Sequence, residues 1–253
     1  MNFIPILTIA KKEVSHVFKL PFQVLGAPIA TTLLYLLVFG HAIGGRVGVV
    51  QGVSYTEFIL PGLIMMNMIT GAFNGVFSSM ILSKYMNTFN DLLVSPMSYL
   101  EIIVGFVLGS VGRSIITAAV IYLTALFFVP FHIGHPFYVL LILILVGACF
   151  ALLGFIVGIV ADNFEQASIF PNFIIMPLSF LGGIFYSSEM LPAFAKHLTY
   201  YNPLFYMING MRYGFFGVSD VNPLTAFVVV FVVFLIMLGA TWQLVLTGYK
   251  LKN

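Results

Sequence analysis

Long apolar runs divide the chain into six segments, each long enough to cross a bilayer. A helix needs about 20 apolar residues to cross the hydrocarbon core. The pattern predicts membrane spans at residues 20–40, 58–83, 99–129, 136–160, 167–188 and 223–249. The fifth contains Pro171 and Pro177, which a membrane helix tolerates because neighbouring helices satisfy the freed carbonyls.

The N-terminal segment, residues 1–19, has a different pattern, in which apolar and polar residues alternate with the period of a helix. Apolar residues recur at helical spacing opposite a basic and hydroxyl face; they are Phe3, Ile6, Ala10, Val14 and Val17. This pattern predicts an amphipathic helix at the membrane interface. An irregular basic tail is the alternative. The segment has no continuous apolar run and no cleavage site, so we do not expect a removable signal peptide.

Residues 189–220 are too polar to form a span. Two apolar stretches within them, 190–198 and 203–216, are each too short to cross and are joined by Tyr200, Tyr201 and Asn202. Asn202 followed by Pro203 predicts a helix start. We expect a helical hairpin that dips into the outer leaflet, and a helix pair lying flat on the surface is the alternative.

Composition supports a protein embedded in lipid. Hydrophobic residues make up 61% of the 253 residues and charged residues 7%, against roughly 45–50% and about 25% in soluble domains. The ten Lys and Arg residues form no basic stripe, so nucleic-acid binding is not expected. The single cysteine, Cys149, lies in an apolar run, where we expect it to pack. One transmembrane domain over residues 1–253 is the simplest organisation: spans one to five at 20–188, the hairpin at 189–220 and the sixth span at 221–249.

The distribution of basic residues predicts the orientation. Short cytoplasmic loops carry an excess of Lys and Arg. With both termini and the 87–96 loop in the cytoplasm, the basic residues inside are Lys11, Lys12, Lys19, Lys84, Lys250 and Lys252. Those outside are then Arg46, Lys196 and Arg212, and the 44–56 loop is external.

No catalytic or nucleotide-binding motif occurs in the sequence. It lacks the G-x-x-x-x-G-K-[ST] loop that cradles phosphates, so any ATP must be bound by another chain. His132 and His135 lie near a predicted external turn, and two imidazoles are too few for a metal site. We therefore expect no catalytic residue, no metal site and no cofactor bound by this chain.

Arg113 is the one charge placed firmly inside a predicted span. Such charges are functional candidates because they are costly in lipid. The alternatives are an inner-leaflet position and a buried ion pair. Glu101 lies twelve residues earlier, roughly 18 Å along a helix, so Asp162 and Glu165 remain as candidate partners. Structural pairing is favoured over a substrate contact.

The loop after the second span carries a short apolar face. Phe89, Leu92 and Leu93 share one side of a helix that Pro96 should end. Such a face suits docking into a groove on a soluble partner. A helix resting on the headgroups is the alternative.

Three motifs resemble those of ABC-2 type transporter permeases. Residues 55–63, Tyr-Thr-Glu-Phe-Ile-Leu-Pro-Gly-Leu, resemble the Y-x-x-F-x-x-P-G-L opening of the family's second span. Residues 90–96 resemble the cytoplasmic coupling helix of these permeases; they are Asn90, Asp91, Leu92, Leu93, Val94, Ser95 and Pro96. Residues 202–208 with 212–214 resemble the N-P-x-x-Y-x-I and R-Y-G motifs before the last span. The likeness covers essentially the whole chain and is nearest to bacterial inner-membrane permeases encoded beside a separate ATPase, a group that includes drug-efflux permeases.

The resemblance implies an all-α integral membrane fold of the type V exporter kind. It has six transmembrane helices, an N-terminal amphipathic connecting helix and an extracytoplasmic re-entrant hairpin before the last span. A homodimer would pair with two copies of an ABC ATPase that binds ATP and Mg²⁺, in the bacterial inner membrane. It would export an amphipathic or lipid-linked substrate between the two membrane subunits.

The hairpin is predicted to close the external end of the pathway at the dimer axis. The candidate gate residues are Tyr200, Tyr201, Asn202, Pro203, Tyr206, Arg212 and Tyr213. An ion-coupled secondary transporter or channel is the main alternative function, and it would usually carry acidic or histidine relays at mid-membrane. An intramembrane enzyme would need converging polar groups within the spans.

Overall fold

The computed structural model describes residues 3–86, 88, 97–129 and 132–247. Helices make up most of this part of the chain. The elements are α1 (Phe3–Lys19), α2 (Phe22–Val47), β1 (Val49–Val50), β2 (Val53–Ser54), α3 (Tyr55–Tyr85), α4 (Tyr99–Ala125), α5 (Pro136–Val160), α6 (residues 164–181), α7 (Ala193–Tyr201), α8 (Pro203–Phe216) and α9 (Pro223–Thr247). A single 3₁₀ turn, Ser188–Met190, precedes α7.

Within the described residues, five helices are long and apolar enough to cross a membrane: α2, α3, α4, α5 and α9. They correspond to five of the six predicted spans. The remaining one, α6, is helical from 164 to 181 with a π-helical stretch at Phe170–Ile175. Glu165 and Gln166 in its first turn and two internal prolines make α6 less apolar than the other five.

A small β-hairpin interrupts the helices between α2 and α3. Val49 pairs with Ser54 and Val50 with Val53 in antiparallel register. The two turn residues, Gln51 and Gly52, have φ values of 50° and 85°, which matches the twist that two-residue hairpins require. The hairpin places the Gln51 side chain over the end of the bundle that also holds residues 183–222, here called the hairpin end.

The central helix is α3, the most deeply buried of the five candidate spans. It packs along α5 and α4. At Gly154 of α5, an added Cβ would lie 2.5 Å from the Phe73 carbonyl oxygen, so only glycine permits this approach. Small residues let membrane helices pack closely, where dispersion replaces the hydrophobic effect as the driving force.

The amphipathic helix α1 forms as predicted and lies along the first half of α4. Its contact face meets glycines of α4, and the closest approach is at Gly109, where an added Cβ would lie 2.6 Å from Glu13 Cβ. Two positions differ from the predicted stripe. Phe3 is exposed, and Glu13, which the pattern assigned to neither face, is fully buried.

The starts of α3 and α4 are fixed by the same side-chain arrangement. At α3, the Ser54 amide donates to Glu57 Oε2 at 2.8 Å, and the Glu57 amide donates to Ser54 Oγ at 3.4 Å. Ser98 and Glu101 repeat this capping box at α4. Glu101 therefore caps a helix start, which agrees with its exclusion as a partner of Arg113.

Candidate functional site

Helices α7 and α8 occupy the region in which a hairpin is predicted before the last span. Asn202 joins the two helices: its Oδ1 accepts from the Leu204 amide at 3.0 Å, and its Nδ2 donates to the Leu178 carbonyl at 2.6 Å. The predicted Asn-Pro helix start is thus confirmed. The turn has polar partners of its own, as irregular backbone away from water requires.

The second helix of the pair, α8, is held tightly against α5. An added Cβ at Gly214 would lie 2.5 Å from Val139 Cγ2. The amides of Gly134 and His135, just before α5, donate to the Phe215 and Gly214 carbonyls at 2.8 Å. Gly210 also faces α5, at Ile142. The predicted close approach at Gly210 and Gly214 is confirmed.

The two ends of α8 lie at different levels along α5. Its last turn is bonded to residues at the start of α5, as described above. Its first residues, Pro203 and Leu204, border an apolar cavity of about 200 Å³ together with Cys149 and Leu153 from the middle of α5. The tip of the hairpin therefore lies beside the middle of a candidate span. Cys149 is buried, as expected for a packing residue.

The tyrosines of the hairpin have different environments. Tyr206 OH donates to the Tyr200 carbonyl at 3.0 Å, which braces the tip. The ring of Tyr213 stacks on His135 with centroids 5.0 Å apart. Tyr201 is 87% exposed. Of these four candidate gate residues, Tyr201 is therefore the one that presents most of its surface outwards.

Arg212 of α8 lies at the centre of a buried ion pair. Its Nη1 is 3.4 Å from Asp220 Oδ2, and both side chains are almost fully buried. Nη2 donates to the Gly183 carbonyl at 2.7 Å, and the guanidinium lies 3.8 Å from the centroid of the Phe58 ring. Burial lowers the pKa of Arg212 to about 10 and the charge of Asp220 opposes this shift, so Arg212 stays protonated at neutral pH.

Asp220 extends this pair into a network across the hairpin end. Its Oδ1 accepts from Ser187 Oγ at 2.5 Å, from Ser188 Oγ at 3.1 Å and from Gln51 Nε2 at 2.8 Å. The network connects the β-hairpin, the segment after α6, helix α8 and the segment before α9. Arg212 was a candidate gate residue, and in the structure it belongs to this buried network.

A polar cavity of about 730 Å³ lies towards the other end of the bundle. The junction of α1 and α2 forms one wall, and α3, α4 and α6 form the others. Arg113 of α4 lines it and is half-buried. Asn67, Thr70 and Asn74 contribute further polar side chains. This intramembrane charge therefore faces a cavity.

The acidic group that acts on Arg113 is Glu13 of α1. Glu13 is fully buried, and its Oε2 accepts from Ser79 Oγ at 2.9 Å. Its Oε1 is buried without a hydrogen-bond partner among the described residues. The candidate partners Asp162 and Glu165 are exposed, and neither is among the charges that act on Arg113.

The predicted coupling residues fall outside the described part of the chain. Asn87 and residues 89–96, which include Asn90 to Pro96, are not described. The structure gives their two anchors, the end of α3 at Tyr85 and the start of α4 at Tyr99. The docking role of this loop stays a prediction.

Sequence reasoning missed the two buried acids. Glu13 could have been found, because Ile9, Glu13 and Val17 are spaced by four residues and so share one helix face. Asp220 offered no such signal, since it is separated from Arg212 by the end of a helix and a turn. Their pairing depends on tertiary structure.

Comparison with known proteins identifies the family. The profile of the ABC-2 type transporter family matches residues 5–216, from α1 to the end of α8. The chain belongs to this family. The matched residues include most of α1, the residues that line the Arg113 cavity, and helices α7 and α8.

Two relatives extend the comparison. The chain is 38% identical over 253 residues to the inner membrane transport permease YadH of Escherichia coli (strain K12), covering 100% of this chain and 99% of that protein. It is 25% identical over 185 residues to nodulation protein J of Rhizobium leguminosarum bv. viciae, covering 73% and 71%. As a member of the ABC-2 family with such relatives, the chain is a transport permease and an integral inner membrane protein.

Proposed function

We propose that this chain is the membrane subunit of an ATP-driven exporter that moves an amphipathic or lipid-linked substrate out of the cytoplasm. The observation that carries the proposal is the ABC-2 family match over residues 5–216. The sequence has no phosphate-binding loop of its own. The ATP would therefore be bound by another chain. As the resemblance to ABC-2 permeases implies, two copies of this chain would pair with two copies of an ABC ATPase, which binds ATP and Mg²⁺.

Packing supports a route by which such an ATPase could move the membrane helices. The segment from Asn90 to Pro96 follows α3, which is buried against α4 and α5. The amphipathic helix α1 packs closely against α4 at Gly109. A force applied to this loop would reach three packed helices at once, since closely packed elements move together.

Exposed apolar surface supports a second copy of the chain as a partner. Helices α2 and α6 present large apolar side chains outwards, including Phe22, which is 91% exposed, and Phe173, which is 75% exposed. The Arg113 cavity lies between these helices. A second copy packed against α2 and α6 would cover this surface and turn the cavity towards the dimer axis.

We further propose six spans, with α6 as the fifth, and a re-entrant hairpin that closes the external end of the pathway. Support comes from the level of the hairpin tip, beside Cys149 and Leu153 in the middle of α5. With six spans, both termini lie in the cytoplasm, as the Lys and Arg distribution predicts.

Spin-label depth measurements test the hairpin. Labels placed at Tyr201, at the tip, and at Gly217, after α8, should differ in depth by about the length of α8. That helix has 14 residues, so the difference is about 20 Å along its axis. Equal depths at the headgroups would mean that the hairpin lies flat and does not gate the pathway.

Purification from native membranes tests the exporter function itself. A P-loop ATPase should accompany the chain in equal amount. If the chain is isolated from gently solubilised membranes without any such ATPase, the exporter proposal fails.

A further inference from the structure

The Arg113 cavity contains a cation whose hydrogen-bonding capacity is unused. The guanidinium has five N–H donors in a planar fork. Among the described residues, no acceptor lies within hydrogen-bonding distance of them, and Glu13 acts on Arg113 only through its charge. Arginine in this state is suited to a phosphate or carboxylate, which can accept two parallel hydrogen bonds.

A second polar group in the same wall has no partner. Ser114 Oγ is buried, lines the cavity and makes no hydrogen bond to any described residue. Ser114 is the neighbour of Arg113 on α4, and its side chain is 1% exposed. Buried hydroxyls are normally satisfied, so an unpaired one beside an unpaired guanidinium points to a polar ligand that contacts both.

The lining also has an apolar part, beside polar side chains such as Gln23, Thr70 and Asn172. Leu20, Val24, Met66 and Met176 contribute to the walls. The volume of about 730 Å³ is typical of cavities that hold small organic ligands. A free inorganic anion would leave most of this space and its apolar surface unused.

The position of the cavity fits a ligand that arrives from a membrane leaflet. The contact between α1 and α4 reaches Gly112, which meets Val14, and Arg113 follows directly. His16 and Leu20, at the junction of α1 and α2, form the adjoining wall. The cavity therefore begins where an interfacial helix turns into a candidate span.

We propose that this cavity binds the anionic head group of an amphipathic molecule, a phosphate or a carboxylate, through Arg113 and Ser114, with the apolar part against Leu20, Val24, Met66 and Met176. This inference rests on the proposed function and specifies its substrate class.

Three probes separate the chemical contributions: dodecyl phosphate, dodecanol and inorganic phosphate. Binding of each to the purified chain in a neutral maltoside detergent is measured by native mass spectrometry. The wild-type chain should bind dodecyl phosphate about tenfold more tightly than dodecanol, the size expected from one charge-assisted hydrogen bond. Inorganic phosphate should bind more weakly than dodecyl phosphate.

Arg113→Gln should lower the affinity for dodecyl phosphate to that for dodecanol, and Arg113→Lys should retain part of it because the charge stays. Arg46→Gln is the matched control, since Arg46 is exposed and remote from the cavity lining. Unchanged dodecyl phosphate binding in Arg113→Gln, or an equal loss in Arg46→Gln, would overturn the proposal. Equal affinities for inorganic phosphate and dodecyl phosphate would overturn the claim that the apolar part of the ligand contacts the cavity walls.

Gly71→Val tests the cavity without touching a charge. An added Cβ at Gly71 would lie 3.8 Å from Ser114 Oγ, which is an ordinary contact, so the variant should fold. Its methyl groups would occupy the space beside Ser114 and weaken binding of both dodecyl compounds. Unchanged binding would place the ligand elsewhere. Because no ATPase takes part, this result is independent of the co-purification that tests the exporter function.

Discussion

At the scale of single residues, whether a charged side chain is buried or exposed depends on partners that lie far away in the sequence. The Lys and Arg count assigned Arg212 to an external loop, yet it is buried and paired with Asp220. Arg113 lies in the candidate span α4, and the acid that acts on it is Glu13 from the N-terminal helix. Counting charges in loops predicts orientation and cannot predict which charges pair across elements.

Asp220→Asn should destabilise the protein strongly. The substitution keeps the shape of the side chain but leaves the buried Arg212 without its counter-charge, and breaking a buried pair costs about 3–5 kcal/mol. Thermal unfolding of the purified protein in detergent measures the loss. Glu165→Gln is the control, because Glu165 is exposed. Equal unfolding temperatures for Asp220→Asn and the wild type would show that the Arg212–Asp220 ion pair contributes nothing to stability.

At the scale of elements, local sequence signals predicted helices well and their packing in part. The Asn-Pro start of α8 and the glycines at 210 and 214 were predicted from the sequence and are confirmed. The repeated S-x-x-E pattern, which starts α3 and α4, was there to be found. The π-helical stretch of α6, which contains Pro171, was not predicted.

Gly214→Ala should loosen the hairpin from α5. The added Cβ would lie 2.5 Å from Val139 Cγ2 and 3.4 Å from Val139 backbone atoms, and overpacking of this kind costs about 1–3 kcal/mol. The expected result is a lower unfolding temperature and faster proteolysis around residues 191–202.

Gly239→Ala is the matched control for this prediction. It makes the same change in α9, where nothing lies within 4 Å of the new Cβ. Alanine also favours helix over glycine by about 1 kcal/mol, so stability should be equal or slightly higher. Equal effects of the two variants would exclude a packing role for Gly214.

At the scale of the whole molecule, the apolar runs predicted the order of the long helices from α2 to α9, because a bilayer fixes the length that a span needs. The third predicted span ended a few residues beyond α4, which stops at Ala125. Helices α7 and α8 were predicted as a hairpin because each is too short to cross. The cavity at Arg113 could not be predicted, since α3, α4, α6 and the α1–α2 junction must assemble to form it.

Cysteine labelling in intact cells tests the orientation. In a Cys149→Ala background, a membrane-impermeant maleimide should modify Arg46→Cys from outside and leave Asn253→Cys unmodified until the membrane is opened. Both residues lie close to spans, where Lys and Arg bias sets topology. Modification of Asn253→Cys from outside would reverse the orientation and place the Asn90–Pro96 segment away from a cytoplasmic ATPase.

The most direct test of the exporter account is the ATPase content of the chain isolated from native membranes, with variants of the apolar loop face. The wild-type chain and Leu93→Met should carry a P-loop ATPase in equal amount. Leu92→Asp and Leu93→Asp should lose it and still fold, because a charge buried in an apolar groove without a partner is costly. An ATPase retained by both Asp variants would contradict the coupling role of the loop, and a wild-type chain without any ATPase would contradict the exporter account itself.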